Sequence, residues 1–150
     1  SVEMQRRIIR REQEHARQGS MFRFWLVARE GVEGVPEGAV LGNVSLSNIV
    51  YGYFHSAFLG YQMDKEYLRR GFAHEALVRV LQFAFETVRL HRIEANIIPE
   101  NVASRALAKK LGFREEGLAR RYLQIAGSWK DHIHYVLLQE EWAGNEEESE

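Results

Sequence analysis

The sequence predicts a single α/β domain built on a mixed sheet with helices. Three observations carry that expectation. The chain has 150 residues, enough to bury one real core. Its 45% hydrophobic and 27% charged residues are ordinary for a soluble globular protein. Strand-like and helix-period segments follow one another in the order α-β-β-β-α-β-α-β-β. Residues 1–142 are assigned to this domain, and residues 143–150 to an acidic tail that reads as solvated and disordered.

Residues 2–18 are polar, with apolar positions at Met4, Ile8, Ile9 and Ala16, and read as a surface helix ended by Gly19. Met21–Arg29 is rich in aromatic and β-forming residues and reads as a strand. Gly31–Gly38 carries three glycines and Pro36, the composition of a connection. Val40–Leu46 is the second strand, Ser47–His55 a connection, and Ala57–Met63 the third strand. A helix follows Gly71, its apolar stripe formed by Phe72, Ala76, Leu77, Val80, Leu81, Ala84 and Val88. Arg92–Ile98 reads as a short strand stopped by Pro99. Asn101 is placed to cap a short helix whose end is marked by Gly112. Arg114–Ile125 and Asp131–Leu138 read as an antiparallel pair turning at Ala126-Gly127-Ser128.

Composition excludes several classes. No apolar run approaches the roughly 20 residues that span a bilayer. The first residues lack the apolar core of a secretory leader. A cytoplasmic protein with no membrane contact is therefore expected. The net charge is −1, and four of the 21 acidic residues lie in Asn145–Glu150. Too little positive charge remains to argue direct nucleic-acid binding. Cysteine is absent, which removes disulfides, cysteine zinc sites and a thiol nucleophile. Acyl transfer here would proceed by direct attack of the acceptor on the donor.

The most informative motif is Leu68-Arg69-Arg70-Gly71-Phe72-Ala73, a basic turn between a strand and a helix. Its backbone N–H groups, the helix dipole and the two arginines suit a pyrophosphate, and Gly71 allows close backbone approach. Set before a second strand–helix unit, it points to an acyl-CoA-dependent transferase. His132 and His134 share a strand face, but two histidines without a third ligand make a poor metal site, and no metal is expected.

The residues at 47–50, 59–61, 70–77, 91–96, 101–104 and 111–117, with Tyr122–Ile125, Gly127, Trp129, Asp131 and His132, resemble the GNAT superfamily of N-acetyltransferases. Within it they are most similar to the RimJ/RimL-type ribosomal-protein alanine N-acetyltransferases. The resemblance covers roughly Val40 to Trp142. It implies a mostly antiparallel central sheet with helices on both faces. The strand and helix that usually open the superfamily's fold have no counterpart in this reading. It also implies acetyl-CoA as co-substrate and a protein N-terminus, alanine or serine on a ribosomal protein, as acceptor. A small-molecule amine acceptor and a non-catalytic acyl-CoA-binding module remain open, as do monomer and homodimer.

Site residues follow from the same resemblance. Tyr61, Gln62 and Met63 offer main-chain partners to the pantetheine arm, with an N–H near Met63 facing the thioester oxygen. Asn96 and Asn101 contact the arm, although Asn101 as a helix cap is an equal reading. Ser104 is the candidate acid for the leaving thiolate, because the tyrosine that many relatives use is replaced by Ala108. Arg105 and Lys109 reach toward the 3′-phosphate or form a solvated helix face. Glu94, two residues before Asn96 on the same strand face, and Asp131 or His132 are the candidate bases. Each also has a structural reading as a hydrogen-bonding residue.

Overall fold

The computed structural model describes residues 7–11, 20–28, 31, 34–65 and 71–142. Its strands are β1 (Arg7–Arg11), β2 (Phe22–Ala28), β3 (Val40–Val50), β4 (Ser56–Met63), β5 (Arg92–Ile97), β6 (Arg114–Ile125) and β7 (Ser128–Leu138). Two α-helices, α1 (Phe72–Gln82) and α2 (Val102–Lys110), link β4 to β5 and β5 to β6. The strands form one sheet in the order β1-β2-β3-β4-β5-β7-β6. Every neighbouring pair is antiparallel except β4–β5.

Strand alternation places the core on one face. Phe22 and Phe24 lie opposite Leu46 and Val44, which in turn face Leu59 and Tyr61. Ala57 faces Ile93, and Ile93, Ala95 and Ile97 face Leu137, Tyr135 and Ile133. All but Tyr61 are buried. The stripe Phe72, Ala76, Leu77, Val80 and Leu81 of α1 joins the same cluster, as do Ala108 of α2 and the following Leu111 and Phe113. Both described helices thus serve one core.

The apolar stripe read as one helix divides in the structure. The α-helix ends at Gln82, and Phe83–Thr87 form a π-helical turn. The wider turn rotates the following side chains, so that adjacent aromatics pack in different directions. Phe83 meets the edges of Phe22 and Phe24 at 5.1 and 5.3 Å, whereas Phe85 stacks on Trp142 at 6.0 Å.

Two element readings are corrected. Arg7–Arg11, inside the span read as a surface helix, is an edge strand paired with Ala28 through Phe24. A free β2 edge offers a complete ladder of backbone partners, and that pairing overrides a weak helical period. The sheet therefore carries a strand ahead of β2. Second, β3 runs on to Val50 through residues read as a connection, with Ile49 buried and Val50 paired to Ser56. A bulge between Ser47 and Val50, with Asn48 at φ +50°, hid the alternation. The readings elsewhere in residues 2–19, and the acidic tail, lie outside the described residues.

The turn between β6 and β7 is tight: Ala126 and Gly127 both have positive φ, at 49° and 84°, the geometry of a two-residue hairpin. Phe85, 1% exposed and stacked on Trp142, ties the π turn to the chain after β7. Phe85→Ala should cost about 3–5 kcal/mol of unfolding free energy by denaturant titration; a loss below about 1 kcal/mol would show that this stack contributes little.

Candidate active site

The site begins where one sheet ladder stops. β4 and β5 pair over three rungs, Ser56–Arg92, Ala57–Ile93 and Phe58–Glu94. Beyond them each strand stays bound on its far side, β4 to β3 as far as Met63 and β5 to β7 as far as Ile97. The two strands therefore part, and the backbone groups that would have met across the gap are free for another partner. A cavity of about 260 Å³ fills the gap, walled by Leu59, Gly60 and Tyr61 on one side and Ala95, Asn96 and Ile97 on the other. Asn101, Ser104, Leu107 and Ala108 of α2 and its cap close it, and His132 reaches it from β7.

Gly42 keeps the far wall in place. A Cβ there would lie 2.2 Å from the Gln62 carbonyl oxygen and 2.9 Å from Met63 Sδ. Any side chain at this position displaces the end of β4.

Two hydroxyls meet in the cavity. Tyr61 Oη lies 2.8 Å from Ser104 Oγ. Burial pushes the Tyr61 phenol above its ordinary value of 10.0, and the bond to Ser104 pulls it back by less. The phenol thus remains a proton donor at neutral pH. Asn101 accepts from the Ser104 backbone N–H at 3.1 Å, so the cap and the cavity lining are one residue. Ala108, one turn after Ser104, adds only a methyl group to the wall.

A second polar cluster lies beside the cavity. Asn96 Nδ2 donates to Glu94 Oε2 at 3.3 Å, and His134 Nδ1 bonds Asn96 Oδ1. Arg92 bridges Glu94 and Glu116 at 3.1 and 2.8 Å. The Glu116 pair raises the arginine above its ordinary value, and Arg92 holds the Glu116 carboxyl below its own.

The expected site residues divide accordingly. Tyr61, Asn96, Asn101 and Ser104 come together around the cavity. Gln62 and Met63 continue the wall strand, while Leu68, Arg69 and Arg70 lie outside the described residues. Gly71 stands at the start of α1 with φ +79°, Phe72 turns its ring into the core, and Ala73 is half-buried. Arg105 does not line the cavity: its Nε donates to Tyr135 Oη at 3.0 Å and its Nη1 to the Pro99 carbonyl at 3.2 Å. Lys109 is exposed, 3.9 Å from Glu115. Glu94 is held in the second cluster, and Asp131 Oδ1 accepts from the Arg121 N–H at 2.9 Å. Among the described residues no three His, Cys, Asp or Glu side chains converge as a metal site, and no helix is long and apolar enough to cross a membrane.

The family model described as an acetyltransferase (GNAT) domain matches residues 1–114. The chain belongs to the GNAT acetyltransferases. The [ribosomal protein uS5]-alanine N-acetyltransferase of Escherichia coli is 36% identical over 129 residues, 86% of this chain and 63% of its own length. A solved ribosomal-protein-S5-alanine acetyltransferase from Vibrio fischeri superimposes with a TM-score of 0.78 at 35% identity, covering 86% of this chain and 67% of that one. Mycobacterium smegmatis RimJ in complex with CoA-disulfide gives 0.76 at 38% identity, covering 85% and 57%. Spermidine N-acetyltransferase from Vibrio cholerae gives 0.75 at 25% identity, covering 88% and 72%. The chain thus spans about two-thirds of the length of the GNAT proteins it matches.

Sequence reading missed one feature of this cavity. Tyr61 was expected to act through its main chain, yet its hydroxyl is in the cavity. Strand alternation, which sets Tyr61 on the face of Leu59, was the available clue. Because the folded protein holds this phenolic proton more tightly than the unfolded chain, its stabilising contribution is full below pH 10 and declines as pH rises through the higher folded value. Tyrosinate absorbance titration, parent against Tyr61→Phe, should place the missing phenol above pH 10; ionisation at or below pH 10 would overturn this.

Proposed function

We propose that the chain transfers the acetyl group of acetyl-CoA to a free amine by direct attack, its acceptor being the α-amine of a protein N-terminus. The observation that carries the reading is the cavity between the parted ends of β4 and β5, in a chain of the GNAT acetyltransferase family. An extended pantetheine arm fits there as a substitute for the missing ladder, with backbone groups of Tyr61, Gln62 and Met63 as partners. An N–H near Met63 polarises the thioester oxygen. Leu68, Arg69 and Arg70, with the N–H groups of Gly71, Phe72 and Ala73 at the start of α1, take the pyrophosphate. Asn96 and Asn101 hold the arm, and Arg105 and Lys109 lend positive charge along α2.

Proton handling follows from the same geometry. The departing thiolate takes its proton from Ser104, whose hydroxyl is coupled to the protonated Tyr61 phenol. Of the carboxylates, neither Glu94 nor Asp131 lines the cavity; Glu94 is connected to it through Asn96. An α-amine, with a reference pKa of about 7.7–8.0, asks less of a base than a lysine ε-amine at about 10.4. That difference favours an N-terminal acceptor, alanine or serine on a ribosomal protein in the cytoplasm. The names of the uS5-alanine acetyltransferases among its relatives support the same choice.

A second reading, acetylation of a small-molecule amine, is favoured by the likeness to spermidine N-acetyltransferases. Acetyl-CoA-dependent thiol release separates the two. An alanine-starting peptide that contains one lysine should support release, whereas its N-terminally blocked copy and spermidine should not. Equal release from both peptides would make lysine the acceptor, and release with spermidine alone would establish the second reading.

A further inference from the structure

Resting on the acetyl-transfer reading, we propose that His132 is the catalytic base of this site, its Nε2 taking the proton from the acceptor amine. His132 is the buried polar side chain among the described residues, 3% exposed, on the face of β7 that it shares with His134 rather than the core face of Ile133 and Tyr135. It stands on β7 one step beyond the last rung shared with β5, Ile97–Ile133, and so reaches the place where the cavity opens. Its Nδ1 lies 2.9 Å from the Lys130 carbonyl oxygen. A carbonyl only accepts, so Nδ1 carries the hydrogen and Nε2 carries the lone pair. Among the described residues Nε2 has no hydrogen-bond partner, yet it is not sealed from open space.

The surroundings leave this nitrogen without a competitor. No Asp, Glu, Lys or Arg among the described residues lines the cavity. Tyr61 remains protonated, and Ser104 and the two asparagines are poor bases. Asp131, next in the chain, is held by the Arg121 N–H, and His134 by Asn96 and Glu94. The irregular stretch of β6 between Ala119 and Leu123 brings the Tyr122 ring to 6.0 Å from His132 and 5.0 Å from His134. That ring packs beside both imidazoles.

The step balances without any further reactant. The amine nitrogen forms a bond to the thioester carbonyl carbon and then carries an excess proton, which passes to His132 Nε2. The carbon–sulfur bond breaks, the sulfur keeps the electron pair, and it takes a proton from the Ser104 hydroxyl. Ser104 recovers a proton through Tyr61 from solvent, and His132 releases its own to solvent. The products are the N-acetyl amide and free thiol.

The test compares the parent chain with His132→Gln and His132→Ala in the alanine-peptide assay. Glutamine keeps a neutral amide near the position of Nε2 but has no comparable basicity. Both variants should lose about 100-fold in kcat while KM for acetyl-CoA stays within about twofold. Added imidazole should restore part of the rate to His132→Ala. A kcat within about threefold of the parent in either variant overturns the proposal. So does a parallel loss of acetyl-CoA affinity without imidazole rescue, which marks a structural role. A variant that fails to fold leaves the decision to the other, and unfolding of both marks the residue as structural and overturns it too. A parent that turns over no amine overturns the acetyl-transfer reading and this inference together; a fully active His132→Gln overturns this inference alone.

Discussion

The site depends on a sheet ladder that stops after three rungs. Had β4 and β5 stayed paired to their ends, the sheet would be continuous and there would be no cavity. What separates them is competition. β3 holds β4 as far as Met63, β7 holds β5 as far as Ile97, and the right-handed twist of adjacent strands carries the two anchored ends apart. Gly42 is part of the same constraint, because its missing side chain lets β3 follow β4 to the last residue. Each unmade backbone bond forgoes about 1 kcal/mol. Burial of the α1 stripe across the same strands offsets that loss, at roughly 25 cal/mol per Å² of apolar surface.

Charge and neutrality are kept apart around this opening. The described cavity wall carries hydroxyls, amides, one imidazole and apolar groups, whereas the ion pairs of Arg92 with Glu94 and Glu116 lie beside it. A lining free of fixed charges lowers the local dielectric without requiring a buried ion to be compensated. Hydrogen-bond donors placed there act on a developing negative charge more strongly than they would in water. The phenol of Tyr61 shows the effect within the protein itself, since burial alone moves it further than its bond to Ser104 returns it.

Much of this was legible from the chain, because it depended on local pattern. The stripe from Phe72 to Leu81 has helical spacing, Asn101 stands where a cap is needed, and the strands from Phe22, Ser56 and Arg92 lie within two residues of their expected bounds. The GNAT resemblance supplied the direction of the whole. What stayed hidden depended on neighbours distant in sequence. Arg7–Arg11 is a strand only because β2 offers an edge, and Val50 is one only because Ser56 lies across from it. Arg105 looked like a surface cation on a short helix. Tyr135, thirty residues further on, supplies the hydroxyl that holds it, and no local period could announce that. The π turn was hidden for a related reason: a stripe of apolar residues does not tell whether 3.6 or more of them make each turn.

β7 lies between β5 and β6, although it is the last of the three to be made. During synthesis β6 therefore has no place in the sheet until β7 has emerged and taken the strand beside β5. The wall that carries His132 is absent until then, and α2 can dock only onto an unfinished surface. Order of assembly is thus written into strand order: a nascent chain ending before Ser128 cannot contain the site, and a chain released early exposes the free edge of β5. The β6–β7 hairpin, with its two left-handed residues at Ala126 and Gly127, acts as the latch that completes the described sheet.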